Sequence, residues 1–292
     1  MYHIMPYWWD INSMAEFMGN VIDWGELWKQ KTAGKKECSM LWHDKKYAGR
    51  YDENVKANNW RKGRRLIREL NVTMRSRVLD IGAGPGTLTI PIASMVKHVT
   101  AVEPADGMMW YLKKNIAEKG LDNVACVHKK WEDVDIAKDL EGPYDVVVAS
   151  LSLGMPDIKA ALEKMNAASS AYVYLFWPAG VTYWEANYAE IWHELHGKEF
   201  RHGPRCDCLY NILYGMGIYP NIKMYKDEYL ESFSNINDAV EYYRPFYNIE
   251  NYRQEAILRD FLRKKLIRKN GRLILKGYSN IAKIWWKKRY DY

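Results

Sequence analysis

The sequence predicts an α/β protein: a doubly wound, seven-stranded, mostly parallel sheet with an antiparallel last strand. A helical cap at the N-terminus and a helical insertion before the last strand complete the expectation. Three observations carry it. Apolar runs at 77–81, 99–103, 124–128, 144–150 and 171–177 alternate with stretches of helical period, the pattern of right-handed βαβ crossovers in a parallel sheet. The first run opens into Asp80-Ile-Gly-Ala-Gly-Pro-Gly86, a glycine loop between a strand and a helix start. The second run ends in an acid, Glu103, about 20 residues beyond that loop,.

Residues 1–53 read as an aromatic-rich cap or lid. Tyr7, Trp8, Trp9, Phe17, Trp24 and Trp28 crowd its start, and Met14, Phe17, Met18, Val21 and Ile22 recur at helical spacing,. Gly34-Lys35-Lys36 marks a loop, and a second helix starts near Ser39. Residues 54–180 form the core domain. A helix over 54–70 turns Val55, Trp60, Leu66, Ile67 and Leu70 inward, and Arg61, Lys62, Arg64, Arg65 and Arg68 outward. The glycine loop leads into a helix over 87–96, with Pro91 tolerated near its start,. The run Tyr144–Ser150 is continuously apolar after Asp145, as a strand buried on both faces requires. Residues 181–292 complete the sheet on the acceptor side. Helices are expected over 182–195, 209–217, 236–243 and 250–269, with strands inside 218–233 and over 272–286.

A chain of 292 residues buries a full core,. Charged residues make up 27% and the hydrophobic set 48%, an ordinary globular balance. Four cysteines form no disulfide framework,. There is no signal-peptide pattern and no run of membrane-spanning length, so the expected setting is cytoplasmic. The net charge of +7 gathers late, in Arg263-Lys264-Lys265, Arg268-Lys269, Arg272, Lys276 and Lys287-Lys288-Arg289. A solvated helix face explains such a run more often than RNA or a membrane surface.

The glycine spacing selects the ligand. Dinucleotide folds use G-x-G-x-x-G, whereas Gly82, Gly84 and Gly86 give G-x-G-x-G with Thr87 next. Asp80, two residues before the first glycine, would repel a pyrophosphate but can face an ammonium group. This loop resembles motif I of the class I S-adenosylmethionine-dependent methyltransferases. Val102-Glu-Pro-Ala-Asp-Gly-Met108 is similar to the segment that follows motif I, and Trp42 to Asp52 resembles a lid stretch in the same family. The motifs cover about residues 40–180; beyond them the likeness is one of architecture.

The resemblance implies S-adenosylmethionine as cofactor and S-adenosylhomocysteine as product. It assigns cofactor contacts to Asp80, Gly82, Gly84, Gly86, Glu103, Pro104, Met108, Ser150 and Leu151. Glu103 would accept the ribose hydroxyls and Met108 would lie on adenine. Family members often read G-D-A-E-D after the third strand, where this chain has Lys129-Lys-Trp-Glu-Asp133. That departure leaves Glu132 or Asp133 for the adenine amino group and Trp131 as a stacking platform.

Methyl transfer from a sulfonium asks mainly for alignment and exclusion of water. Candidates to line the acceptor site are Trp42, Tyr47, Tyr51 and Ser150, with Tyr183 and Tyr214 as further aromatic choices. After the fourth strand, Ala-Ser-Leu-Ser-Leu-Gly lacks the Asn/Asp-Pro-Pro-Tyr motif, the Pro-Cys nucleophile and acidic metal ligands. A small-molecule acceptor is therefore expected. The alternatives are an RNA or protein methyltransferase using the basic C-terminal region, and a non-catalytic S-adenosylmethionine-binding module. His193, His196, His202, Cys206 and Cys208 fall close together, but their spacing matches no standard zinc pattern, and no metal is expected.

Overall fold

The computed structural model describes residues 22–34 and 39–288. The amphipathic helix expected around Met14–Val21 lies outside the described residues, as do Lys35, Lys36 and Cys38. Helices α1 (Trp24–Thr32), α2 (Ser39–Trp42), α3 (Lys45–Ala57) and α4 (Arg61–Ile67) precede the sheet. The core follows as β1 (Arg77–Ile81), α5 (Thr89–Ala93), β2 (His98–Val102), α6 (Asp106–Glu118) and β3 (Val124–Val127), then α7 (Ile136–Asp139), β4 (Tyr144–Ser150), α8 (Ile158–Ala168) and β5 (Ser169–Pro178). The last third contains α9 (Tyr183–His196), α10 (Cys206–Gly215), β6 (Asn221–Phe233), α11 (Ile236–Tyr243), α12 (Tyr252–Lys265), β7 (Ile267–Lys269) and β8 (Arg272–Lys287).

The strand order is β3-β2-β1-β4-β5-β8-β6. Strands β1 to β5 are parallel, and β8 enters antiparallel between β5 and β6. This is the doubly wound sheet the sequence predicts, with one addition. The helix expected over 250–269 stops at Lys265, and Ile267–Lys269 turn through Asn270-Gly271 onto β8 as a short eighth strand. Both turn residues have positive φ, 49° and 75°, a conformation that asparagine and glycine tolerate.

Two other elements differ from expectation. The single helix over 54–70 is two, α3 and α4, broken where Asn59 and Trp60 take φ of 48° and 50°. The break turns Trp60 inward among Ala83, Ile90, Met109 and Leu112, and burial of that indole offsets the left-handed backbone. The helix after the glycine loop is only Thr89–Ala93, because the loop continues through Gly86, whose N–H donates to Ala83 O at 3.0 Å.

Each face of the sheet has its own core. Leu79, Ile81, Val147 and Leu175 pack with Trp28, α8 and α10. Val78, Val146, Val148 and Phe176 pack under α4 and α5. A third cluster joins α9, α11 and α12 to the outer half of the β6/β8 hairpin through Phe233, Tyr242, Tyr243, Tyr247 and Phe261. Because β8 runs against β5 from Pro178 back to Tyr172, residues 272–280 extend beyond the carboxyl ends of the parallel strands. The third cluster therefore stands on the side where open α/β sheets bind ligands.

Candidate functional site

Three loops meet at the carboxyl ends of β1, β2 and β4. The glycine loop is tied to β2 by the Gly82 and Ala83 N–H groups, which donate to Val102 O at 2.8 and 3.1 Å. Ser152 Oγ donates to Ile81 O at 2.6 Å, clamping the β4 loop onto the end of β1. A Cβ on Gly82 would lie 2.2 Å from Ser152 Cβ, and one on Gly86 2.6 Å from Ile90. Gly84 differs: its φ is +57° and no atom lies within 4 Å of its would-be Cβ. Two of the glycines thus admit packing neighbours, and the middle one faces open space.

Glu103 organises the loop. Its Oε2 accepts from Gly84 N at 2.8 Å and its Oε1 from Ala105 N at 2.9 Å. Each oxygen keeps a lone pair for a ligand hydroxyl. Burial raises the Glu103 pKa, opposed by the two amide bonds. Asp80 is turned beneath the loop, its Oδ2 accepting from Thr89 Oγ1 at 2.7 Å. Burial pushes its carboxyl up to about 6 against that hydrogen bond. Pro104 and Met108 follow Glu103, with Met108 packed on Ala48 and Ala105 beside Trp42 and Tyr51. Ser150 ends β4, and Leu151 takes φ of 56°, a backbone strain of the kind that gathers at binding sites.

Trp131 corrects the sequence reading. Its ring is 2% exposed, and its Nε1 donates to Ala161 O at 3.1 Å beneath the sheet. Lys164 lies over the indole and donates to the carbonyls of Trp131, Glu132 and Val134. The indole is a core side chain and is not available to stack on adenine. The Glu132 side chain is exposed at the surface.

A methyltransferase domain model matches residues 78–170, which include the glycine loop and Glu103. Residues 78–170 carry a methyltransferase domain. An uncharacterized protein of Haemophilus influenzae is 27% identical over 91% of this chain and 96% of its own length. A protein-L-isoaspartate O-methyltransferase of Serratia proteamaculans is 33% identical, but over 34% of this chain and 45% of that enzyme. The chain thus matches less than half the length of that relative. Among solved structures, a protein from Bacillus halodurans shares the fold at TM-score 0.52 and 14% identity, over 78% of this chain and 99% of that one. The YcgJ protein of Bacillus subtilis does so at 0.51 and 13%, over 78% and 98%.

In this methyltransferase α3 links the glycine loop to the C-terminal third. Toward the loop, Asn115 Nδ2 donates to Asp52 Oδ1 at 2.6 Å and to Pro85 O at 2.8 Å. Toward β6, Arg50 Nη2 donates to Ser232 O at 2.9 Å and Asn54 Nδ2 to Leu230 O at 3.0 Å. Ion pairs Arg50–Asp238, Lys46–Glu241, Arg61–Glu228 and Arg65–Asp227 hold α3 and α4 against β6 and α11. Three of the lid aromatics pack along this seam. Trp42 meets Tyr51 edge-on at 5.6 Å and Phe246 at 6.2 Å, and Tyr47 lies 6.3 Å from Tyr242. Tyr183 joins them from α9, 5.8 Å from Tyr229. Tyr214 does not: it is exposed on α10, against Tyr219.

The histidine–cysteine group is not brought together. His196 Nε2 meets Tyr247 O at 3.0 Å, while His202 Nδ1 lies 3.9 Å from Glu185. Cys206 and Cys208 are buried at the start of α10. Among the described residues, no three His, Cys, Asp or Glu side chains are arranged to hold a metal ion.

Sequence reasoning missed Arg50, Asn54, Thr89, Asn115 and Ser152, which hold these elements together, and the buried Glu231. Alternation along β6 places Tyr225, Asp227, Tyr229, Glu231 and Phe233 on one face, a signal readable in the sequence. Glu231 is 6% exposed, and burial pushes its carboxyl up to about 7 despite Arg50, Asn54 and Tyr229. A raised folded-state pKa means that the folded chain holds the proton more tightly than the unfolded chain. The resulting stability is present at low pH and is lost as pH rises through 6 to 7, where Asp80 and Glu231 titrate,. Glu228 and Glu69, whose pKa values are lowered, stay ionised over that interval. We expect the free protein to melt several degrees higher at pH 5.5 than at pH 8, on the order of 1–3 kcal/mol. Scanning calorimetry of wild type and Glu231→Gln measures this, and the variant has the flatter profile.

Proposed function

We propose that the enzyme methylates a small molecule, using a cofactor site built from the glycine loop, Glu103, Pro104, Met108 and the Ser150–Leu151 turn. The residues suit S-adenosylmethionine. Gly84 leaves open space against the ligand path, and the Glu103 oxygens each retain a lone pair for a ribose hydroxyl,. Asp80, buried behind the loop, acts on the ammonium end through its charge. When bound, the cofactor supplies an electrophilic methyl group. The chain's own residues then hold the acceptor in line and keep water from the seam.

The observation that carries the small-molecule reading is the seam itself. Helix α3 lies across the approach to the loop, strapped to α11 by ion pairs and to β6 by hydrogen bonds, with Trp42 of α2 and its own Tyr47 and Tyr51 packed along it. An aromatic-lined seam covered by a helix suits a compact ligand. A folded RNA needs an open basic surface, and three of the basic C-terminal residues are engaged by acids, while Lys264, Arg268 and Lys269 are exposed. Lys265 pairs with Glu190, Lys276 with Glu228 and Arg263 with Asp260. The test is transfer of labelled methyl from S-adenosylmethionine into a size-fractionated cell extract. Label in the low-molecular-mass fraction is the expected result; label in protein or RNA overturns the reading.

A further inference from the structure

We propose that Asn115 is a positioning residue for methyl transfer: through its buried amide, the seating of helix α3 sets the glycine loop and with it the affinity for S-adenosylmethionine. The inference rests on the reading above that the cofactor lies at that loop. The loop needs holding, because Gly82, Gly84 and Gly86 all have positive φ, and glycine is the residue least restrained by its own backbone. Its first half is held by the end of β2. Gly82 and Ala83 N–H donate to Val102 O, and Gly84 N–H donates to Glu103. Its second half is reached from α6, where Asn115 Nδ2 donates to Pro85 O at 2.8 Å.

The same nitrogen donates to Asp52 Oδ1 of α3 at 2.6 Å. Asn115 is 1% exposed and Asp52 2%, so both bonds are shielded from water. Both neighbours are acceptors, which fixes the amide with its nitrogen toward them and commits both of its hydrogens. Asn115 Oδ1 is left buried with no hydrogen-bond partner among the described residues. An unpaired buried acceptor costs stability, so packing alone does not account for an amide at this position. The bridge it makes between two elements does.

Asp52 is itself tightly placed. Its Oδ2 meets Lys56 Nζ at 3.1 Å, and Lys56 reaches Glu118 at 2.9 Å. Helix α3 and the end of α2 come onto α6 at two glycines. A Cβ on Gly49 would lie 2.3 Å from the Tyr111 hydroxyl, and one on Gly107 2.5 Å from Trp42 O. Tyr51, the neighbour of Asp52, packs with Trp42 on Ala48, Ala105 and Met108. A shift of α3 that moves these aromatic side chains therefore moves Asp52, and the Asn115 amide carries the shift to Pro85. Asn115 acts on the cofactor only through the loop.

The test is calorimetric titration of the full chain with S-adenosylmethionine, well below the melting temperature of each variant. Asn115→Leu should weaken binding about 30-fold and Asp52→Leu about 10-fold, although the second leaves every loop residue in place. The double variant should bind no more weakly than Asn115→Leu, because Asp52 acts through the amide. Asp52→Asn keeps an acceptor oxygen and should stay within about threefold of wild type. Asn115→Ser, a smaller change that can donate only one hydrogen bond, should lose about 10-fold and serves where Asn115→Leu does not fold. Asn123 is the control. Its amide makes the same double donation, to Ala93 O and Val96 O at 2.8 and 3.1 Å, at the amino ends of β2 and β3. Asn123→Leu should lower the melting temperature and leave the affinity unchanged.

Wild-type affinity in the Asn115 variants, with only a lower melting temperature, makes Asn115 a structural residue and overturns the proposal. Losses that add in the double variant overturn it too, as does an Asp52→Asn protein that binds as weakly as Asp52→Leu. Glu103→Ala separates this outcome from failure of the site reading. Wild-type binding in that variant means that the cofactor lies elsewhere, and both fall. Weak binding there, with unchanged Asn115 variants, overturns the relay alone.

Discussion

Glu103→Ala should weaken S-adenosylmethionine binding at least about 100-fold in calorimetry, while leaving the fold intact by circular dichroism. Two effects add. The first is loss of charge-assisted hydrogen bonds to the ribose hydroxyls, about 1.5–3 kcal/mol each. The second is release of the Gly84 and Ala105 N–H groups, which Glu103 now holds at 2.8 and 2.9 Å. Without them the glycine loop keeps only the Gly82 and Ala83 bonds to Val102 O as its link to the end of β2. Glu103→Gln separates the two. The amide keeps one acceptor oxygen but turns donors toward an N–H, so a loss of about tenfold is expected. Wild-type affinity in either variant would remove Glu103 from the cofactor site.

The half of the molecule that was legible in the sequence is the half governed by local rules. The parallel strands announced themselves as apolar runs, and the glycine loop as a spacing, because both are properties of consecutive residues. Trp131 shows where that ends. Its place after β3 suggested a ligand contact, but whether an indole faces a ligand or the core depends on α8, some thirty residues away, whose Ala161 carbonyl captures it. The Asn59–Trp60 break is intermediate. An Asn58-Asn59 pair marks tolerance for positive φ, yet the decision to break came from burying Trp60 against α6. Glu231 is legible as one of two acids, with Asp227, on an otherwise aromatic strand face. Its burial depends on α3 and α11 packing over β6, which no spacing encodes.

Gly63→Ala should be among the most damaging single-methyl additions in this chain. The residue lies mid-way along α4, where alanine is ordinarily favoured over glycine by about 1 kcal/mol. Here the new Cβ would sit 1.9 Å from Thr87 O, 2.9 Å from Thr87 C and 3.0 Å from Pro91 Cγ. The first two are backbone atoms of the segment that leaves the glycine loop, so no rotamer change relieves them. Either α4 moves away from the sheet, opening the contacts of Leu66 and Ile67 with Val78 and Ile92, or the loop shifts. The expected cost is about 3 kcal/mol or more, enough to lower the melting temperature by roughly 5–10 °C. Affinity for S-adenosylmethionine should fall with it, because Thr87 follows Gly86 directly. Gly180→Ala is the control, since nothing lies within 4 Å of its would-be Cβ and its φ is not positive. A Gly63→Ala protein that melts and binds like wild type would show that α4 does not rest on the glycine loop. The close approach of a helix to the cofactor loop, through a glycine twenty residues upstream of it, would then have to be abandoned.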